Sequence, residues 1–80
     1  MTIKLYGAAR CHKTQHYQRY FQERNLEVEF LDVEENESYA EELRSLYTNR
    51  KLNFPTITID SKKLRNPSDE ELSKWIMKLS

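Results

Sequence analysis

Three segments in the first 33 residues follow the order strand, helix, strand, and this order restricts the fold more than any other feature of the chain. Residues 3–6 form a short β-branched run that stops at Gly7, the only glycine. Residues 12–24 place three aromatic side chains three and four positions apart, which predicts a helix with one aromatic face. Residues 26–33 are again rich in β-forming residues. A helix between two strands favours parallel strands joined by a right-handed crossover.

The second half continues with a helix, a hairpin and a last helix. Asn36 can cap a helix over residues 39–47, where apolar side chains recur at helical spacing. Residues 56–60 alternate strictly and predict a third strand, with a short hairpin partner at residues 63–65. Ser68 and Glu71 then have the spacing of a capping box, so the chain ends in an amphipathic helix. The predicted core includes the helical aromatic residues Tyr17, Tyr20, Phe21 and Trp75.

The size and charge of the chain indicate one domain, residues 1–80, that binds neither nucleic acid nor membrane. Thirteen basic and thirteen acidic residues give a formal net charge of zero, which excludes a generally basic nucleic-acid binder. No apolar run is long enough to span a bilayer, and no export segment is evident. A single cysteine makes no internal disulfide, so we expect the protein in the reducing cytoplasm. We also expect it to be a monomer.

Charge is unevenly distributed along the chain. Residues 25–43 carry eight acids and no base, whereas residues 1–24 and 44–65 are mainly basic. If the two basic segments converge in space, they form a surface that attracts anions.

The only cysteine, Cys11, lies between the predicted first strand and the predicted first helix, directly before the helix begins. The first backbone N–H groups of a helix have no partner within the helix, and they stabilise a thiolate placed before them. Arg10 and Lys13 add positive charge beside it. The sulfur is therefore a candidate nucleophile, although a lone cysteine also serves as a small apolar core residue.

In the order and separation of these features, the chain resembles the glutaredoxin branch of the thioredoxin fold over nearly its whole length. The resemblance rests on four features. They are a strand, loop and cysteine in residues 3–11, a strand ending in acids in residues 28–35, a proline before the third strand in residues 54–56, and a hairpin and helix in residues 63–79. The resemblance implies an α/β, three-layer βαβαββα fold. Its mixed four-stranded sheet carries helices on both faces.

The Cys-x-x-Cys motif of that family is replaced here by Cys11-His12-Lys13-Thr14. An internal dithiol cycle is impossible without the second thiol. The resemblance therefore implies monothiol chemistry, in which Cys11 attacks a glutathione-linked or other mixed disulfide and is released by an external thiol such as glutathione. Thr14, one helical turn later, is placed to donate a hydrogen bond to the thiolate.

The resemblance also implies a substrate groove. The proline before the third strand, Pro55, is cis in the family, Phe54 offers its backbone to the glutathione cysteine, and Lys51 reaches a carboxylate of the tripeptide. Asp69 is placed to meet its α-amino group. The Gly-Gly turn that admits the glutamyl end is missing, because residues 66–69 contain no glycine and Pro67 has no N–H.

Other functions remain open at this stage. A non-catalytic adaptor that holds a partner peptide in the groove is the main alternative. An oxyanion site of the arsenate-reductase type at the helix start, with Arg10 beside it, ranks last. Iron–sulfur binding is disfavoured, since His12 and Lys13 replace the small and aromatic residues of cluster-binding relatives. Cys11, His12 and His16 do not converge as ligands, so we expect no metal.

Overall fold

In the computed structural model, which describes residues 1–79, seven elements follow one another in the predicted order. They are β1 (Ile3–Gly7), α1 (His12–Glu23), β2 (Glu29–Asp32), α2 (Glu37–Ser45), β3 (Thr56–Ile59), β4 (Lys62–Arg65) and α3 (Asp69–Leu79). None of the helices within these residues is long and apolar enough to cross a membrane.

The four strands form one mixed sheet in the order β2-β1-β3-β4. β1 runs parallel to β2 and antiparallel to β3, and β3 pairs with β4 as an antiparallel hairpin. The parallel pair flanks α1, which is the βαβ unit expected from the sequence. The α/β class, the element order and the mixed four-stranded sheet are therefore confirmed.

The alternation of each strand divides the core into two clusters on opposite faces of the sheet. One cluster joins the sheet to α1 and α3 and consists of Ile3, Leu5, Tyr17, Tyr20, Phe21, Ile57, Ile59, Leu64 and Leu72. The other joins the sheet to α2 and consists of Tyr6, Leu31, Val33, Ala40 and Leu43. The predicted aromatic core is observed, with Trp75 partly buried at its edge.

Side-chain caps define where two of the helices begin. The Asn36 side chain accepts a hydrogen bond from the Ser38 backbone N–H at 2.9 Å, as its position before α2 predicts. At α3, the Ser68 hydroxyl accepts from the Glu71 N–H at 3.1 Å, which is one half of the predicted capping box. Each cap gives a partner to one N–H that the helix itself leaves unpaired.

The second strand is shorter than the sequence predicts. It covers Glu29–Asp32 rather than residues 28–35, so the prediction of its bounds is wrong. The Asp32 carboxylate accepts hydrogen bonds from the N–H groups of Glu34 and Glu35, at 2.9 and 3.1 Å, and this local turn replaces the sheet ladder. Val33 still reaches the core from the turn.

The acidic segment and its basic neighbours pair with each other rather than forming separate surfaces. Lys4 contacts Glu42, Arg44 bridges Glu37 and Glu41, and Arg50 also contacts Glu41. These pairs are exposed and so contribute little to stability, about 0–1 kcal/mol each. The basic charge left to attract anions is consequently smaller than the sequence blocks indicate.

Candidate functional site

Three loops meet at the end of the sheet where β1 finishes. The loop that carries Cys11 leaves β1 at Gly7, and Tyr6 pairs with Thr56, the first residue of β3. Pro55 immediately precedes that pair. The Asn66 backbone N–H donates to the Pro55 carbonyl at 3.0 Å, which brings the loop before α3 to the same end.

Cys11 occupies the N-cap position of α1 and is partly exposed. Its backbone is extended, with φ −80° and ψ 126°, and its own N–H donates to the Ala8 carbonyl at 2.9 Å. The Thr14 backbone N–H is the main cause of a lowered pKa of the Cys11 thiol. Burial opposes this effect, while the Thr14 hydroxyl, the Lys13 N–H and the charge of Arg10 add to it. The helix start thus favours the thiolate.

The two cations beside Cys11 act on its thiol in different ways. Arg10 forms a double hydrogen bond with the Glu34 carboxylate, at 2.8 and 2.6 Å. Glu34 follows β2, on the opposite side of β1 from β3 and Pro55, so Arg10 is directed away from the groove. Lys13 lowers the pKa of Cys11 through its backbone N–H rather than its ammonium group. Within residues 1–79, neither Lys13 nor Lys51 has a carboxylate partner.

The loop that carries Phe54 and Pro55 is fixed by short polar contacts. The Phe54–Pro55 peptide bond is cis. The Thr56 hydroxyl contacts the Asn53 carbonyl at 2.5 Å and the Tyr47 hydroxyl at 2.8 Å. Phe54 itself is half-buried, and Lys51 is exposed at the start of this loop.

A pocket of about 450 Å³ lies between the start of α1 and the loop before α3. Its lining comprises His12, Lys13, His16, Tyr17, Asn66, Pro67, Ser68 and Asp69. His16 Nε2 lies 2.8 Å from Asp69 Oδ1, so the carboxylate expected to meet an ammonium group already has a partner. His16 is exposed, but it also joins α1 to α3.

Tyr17 forms the buried floor of this pocket. Its hydroxyl donates to the Pro67 carbonyl at 2.5 Å. Burial, followed by the charges of Asp69 and Glu71, raises the pKa of Tyr17 to about 12. Because the folded state favours the neutral phenol, its contribution to stability is complete below pH 10 and is lost as the pH rises towards 12.

We therefore expect the free energy of unfolding to fall between pH 10 and 12, and to fall less steeply in the Tyr17→Phe variant. Urea unfolding at several pH values measures both slopes. The Tyr6→Phe variant should also flatten the slope, because Tyr6 is buried as well and its pKa is raised by burial and by Glu42 on the other face of the sheet. An unchanged slope in Tyr17→Phe would contradict the prediction.

Three residues near the site have structural roles that the sequence did not reveal. His16 pairs with Asp69, the Ala9 N–H donates to the Asp32 carboxylate at 3.3 Å, and Gly7 lies against Thr14. The one sequence signal for this role is that Gly7 is the only glycine of the chain. No group of three or more His, Cys, Asp or Glu residues suited to a metal ion occurs among the residues that the structure describes.

Comparison with known proteins agrees with this arrangement. The glutaredoxin family model matches residues 3–64. The fold is similar to that of the thioredoxin-like protein BC3987, with a TM-score of 0.74 and 22% identity over 91% of this chain and 97% of that one. A single-residue variant of BC3987 gives a TM-score of 0.76 and 21% identity over 94% and 99%.

Curated proteins give no significant match. At such low identity the two structures establish a thioredoxin-like fold alone, whereas the family match covers most of the chain and includes Cys11, Phe54 and Pro55. By that match, the chain belongs to the glutaredoxin family.

Proposed function

We propose that this protein is a monothiol thiol–disulfide oxidoreductase with Cys11 as its nucleophile. The observation that carries the proposal is the position of Cys11 at the start of α1, where the N–H groups of Thr14 and Lys13 lower the pKa of its thiol. The thiolate is the form that attacks disulfides, so a lowered pKa increases the reactive fraction at neutral pH.

The reaction takes two exchanges. The Cys11 thiolate attacks the glutathione sulfur of a glutathionylated protein; a new S–S bond joins Cys11 to glutathione, and the protein leaves as a thiolate. A second glutathione thiolate then attacks the glutathione sulfur of this mixed disulfide, which releases Cys11 as thiolate and gives oxidised glutathione. The net reaction consumes one free glutathione, whose thiol is oxidised, while the protein sulfur is reduced to a thiol. The second half of oxidised glutathione comes from the substrate, and Cys11 ends unchanged.

The remaining residues have proposed roles in binding. The Phe54 backbone, next to Pro55, pairs with the extended cysteinyl segment of glutathione in the manner of an added strand. Lys51 and Lys13 attract its carboxylates, since neither has a carboxylate partner within residues 1–79. The Asp69 carboxylate binds the α-amino group of glutathione, which replaces His16 as its partner. Thr14 supports the sulfur, and Arg10 acts only as a distant charge because Glu34 holds it.

Oxidised glutathione provides a direct test of nucleophile and ligand together. We expect intact mass spectrometry to show one glutathione per chain, attached at Cys11 and removed by added thiol. The Lys51→Gln variant should form the adduct several-fold more slowly at low glutathione concentration, whereas Lys74→Gln, an exposed lysine on α3, should match the native rate. Failure of the native protein to form any adduct would contradict the proposal.

A second candidate is a non-catalytic adaptor that holds a peptide in the same groove. It is favoured by the loop before α3, whose polar groups are not free to bind glutathione. Pro67 lacks an N–H, and its carbonyl already accepts from the Tyr17 hydroxyl. The Asp69 carboxylate already pairs with His16. An adaptor would bind extended peptides equally well after Cys11→Ala, whereas the oxidoreductase captures them only through the sulfur.

We propose that the oxidoreductase works as a monomer in a reducing compartment such as the cytoplasm.

A further inference from the structure

Gly7, the last residue of β1, touches the Thr14 side chain so closely that a Cβ atom there would force this side chain to shift. A Cβ atom on Gly7 would lie 2.4 Å from Thr14 Oγ1 and 2.7 Å from Thr14 Cγ2. Both distances are well inside van der Waals contact. The φ angle of Gly7 is not positive, so the backbone conformation does not require glycine. The requirement is space for the threonine.

The Thr14 hydroxyl is held within the turn that carries Cys11. Thr14 is fully buried, and its Oγ1 accepts a hydrogen bond from the Ala8 N–H at 3.3 Å. The Ala8 carbonyl in turn accepts the Cys11 N–H at 2.9 Å. A hydroxyl that accepts from Ala8 still has its single proton to donate. The Thr14 side chain also lowers the pKa of the Cys11 thiol, which is the effect of a donor near the sulfur.

We propose that Gly7 and Thr14 form a positioning pair, in which the missing side chain of Gly7 leaves the space that seats the Thr14 hydroxyl between the Ala8 N–H and the Cys11 sulfur. The proposal rests on the proposed function of Cys11 and adds a residue to it. Gly7 does not touch the substrate. It acts through Thr14, whose β-branched side chain has few alternative rotamers.

Adding one methyl group at Gly7 should therefore have a chemical effect as well as a packing effect. The Cβ of Gly7→Ala would push the Thr14 hydroxyl from its seat and remove its hydrogen bond to the thiolate. Hydrogen bonds to charged groups are strong, so losing this one should reduce the thiolate fraction. The thiolate of a less acidic thiol is also the better nucleophile, and this offsets part of the loss in rate. We expect alkylation of Cys11 at pH 7 to slow by roughly three- to tenfold.

The test measures the rate of iodoacetamide alkylation against pH, which reports only Cys11 because the chain has no other cysteine. In Gly7→Ala and in Thr14→Ala, the midpoint should move to higher pH. Thr14→Ser keeps the hydroxyl and should restore the native midpoint. In the double variant Gly7→Ala with Thr14→Ala, the two shifts should not add, because both remove the same hydrogen bond.

A purely structural role for Gly7 predicts a different pattern. Gly7→Ala would lower the melting temperature and leave the alkylation midpoint unchanged, and that result would overturn the proposal. Additive shifts in the double variant would also overturn it. If Gly7→Ala does not fold, Thr14→Ala and Thr14→Ser decide the matter, since equal midpoints in these two variants would contradict a role for the hydroxyl.

Turnover of a glutathionylated peptide, measured on the same variants, separates this proposal from the proposed function. Non-additive midpoint shifts with an inactive native protein would support the pair and contradict the oxidoreductase. An active native protein whose alkylation profile is unaffected by Gly7→Ala would support the oxidoreductase and contradict the pair.

Discussion

The Cys11→Ser variant should lose all measurable turnover of a glutathionylated peptide, while its fold and melting temperature remain close to those of the native protein. A serine hydroxyl forms no disulfide, so neither exchange step proceeds. The native protein should also require free external thiol for more than one turnover, because no second cysteine is present. A coupled assay of oxidised glutathione formation measures both effects.

Two controls accompany that assay. Circular dichroism should be the same for both proteins, since Cys11 is partly exposed and serine is a favoured residue at the N-cap position that it occupies. Without added thiol, the native protein should release one equivalent of peptide thiol and then stop. Continued turnover under those conditions, or activity retained by Cys11→Ser, would show that Cys11 is not the nucleophile.

The Phe21→Ala variant should lose a large part of the free energy of unfolding of the protein. Phe21 lies at the end of α1 with 2% of its surface exposed, and it packs against the sheet core and the edge of Tyr20. Removing a buried phenylalanine costs about 3–5 kcal/mol. A domain of this size has a total stability of only about 4–12 kcal/mol. Urea unfolding monitored by circular dichroism measures the loss.

The matched control is Gln22→Ala, the next residue of the same helix, which is exposed and should change stability by less than about 0.5 kcal/mol. Phe21→Leu keeps much of the buried volume and should lie between the two. If Phe21→Ala were as stable as Gln22→Ala, the face of α1 assigned to the core would be wrong.

The fold could be predicted from the sequence because its main signals are local. The alternation in β3 places its isoleucines in the core with α1 and α3, and the aromatic spacing identifies the buried face of α1. The threonines of β3 are buried as well, because this strand lies inside the sheet. The polar caps at Asn36 and Ser68 are local signals of the same kind. The end of β2 was missed because the Asp32 turn competes with the sheet ladder for the same backbone groups.

The sequence by itself determined the order of elements, the two faces of the core and the place of Cys11 at a helix start, since all of these follow from short-range periodicity and backbone geometry. Only the tertiary structure decided the partners around the site. Arg10 is held by Glu34, 24 residues away, and His16 by Asp69, 53 residues away. Gly7 matters because Thr14 folds against it. Side-chain pairing across such separations depends on how the loops meet at the end of the sheet, and no local pattern encodes that meeting.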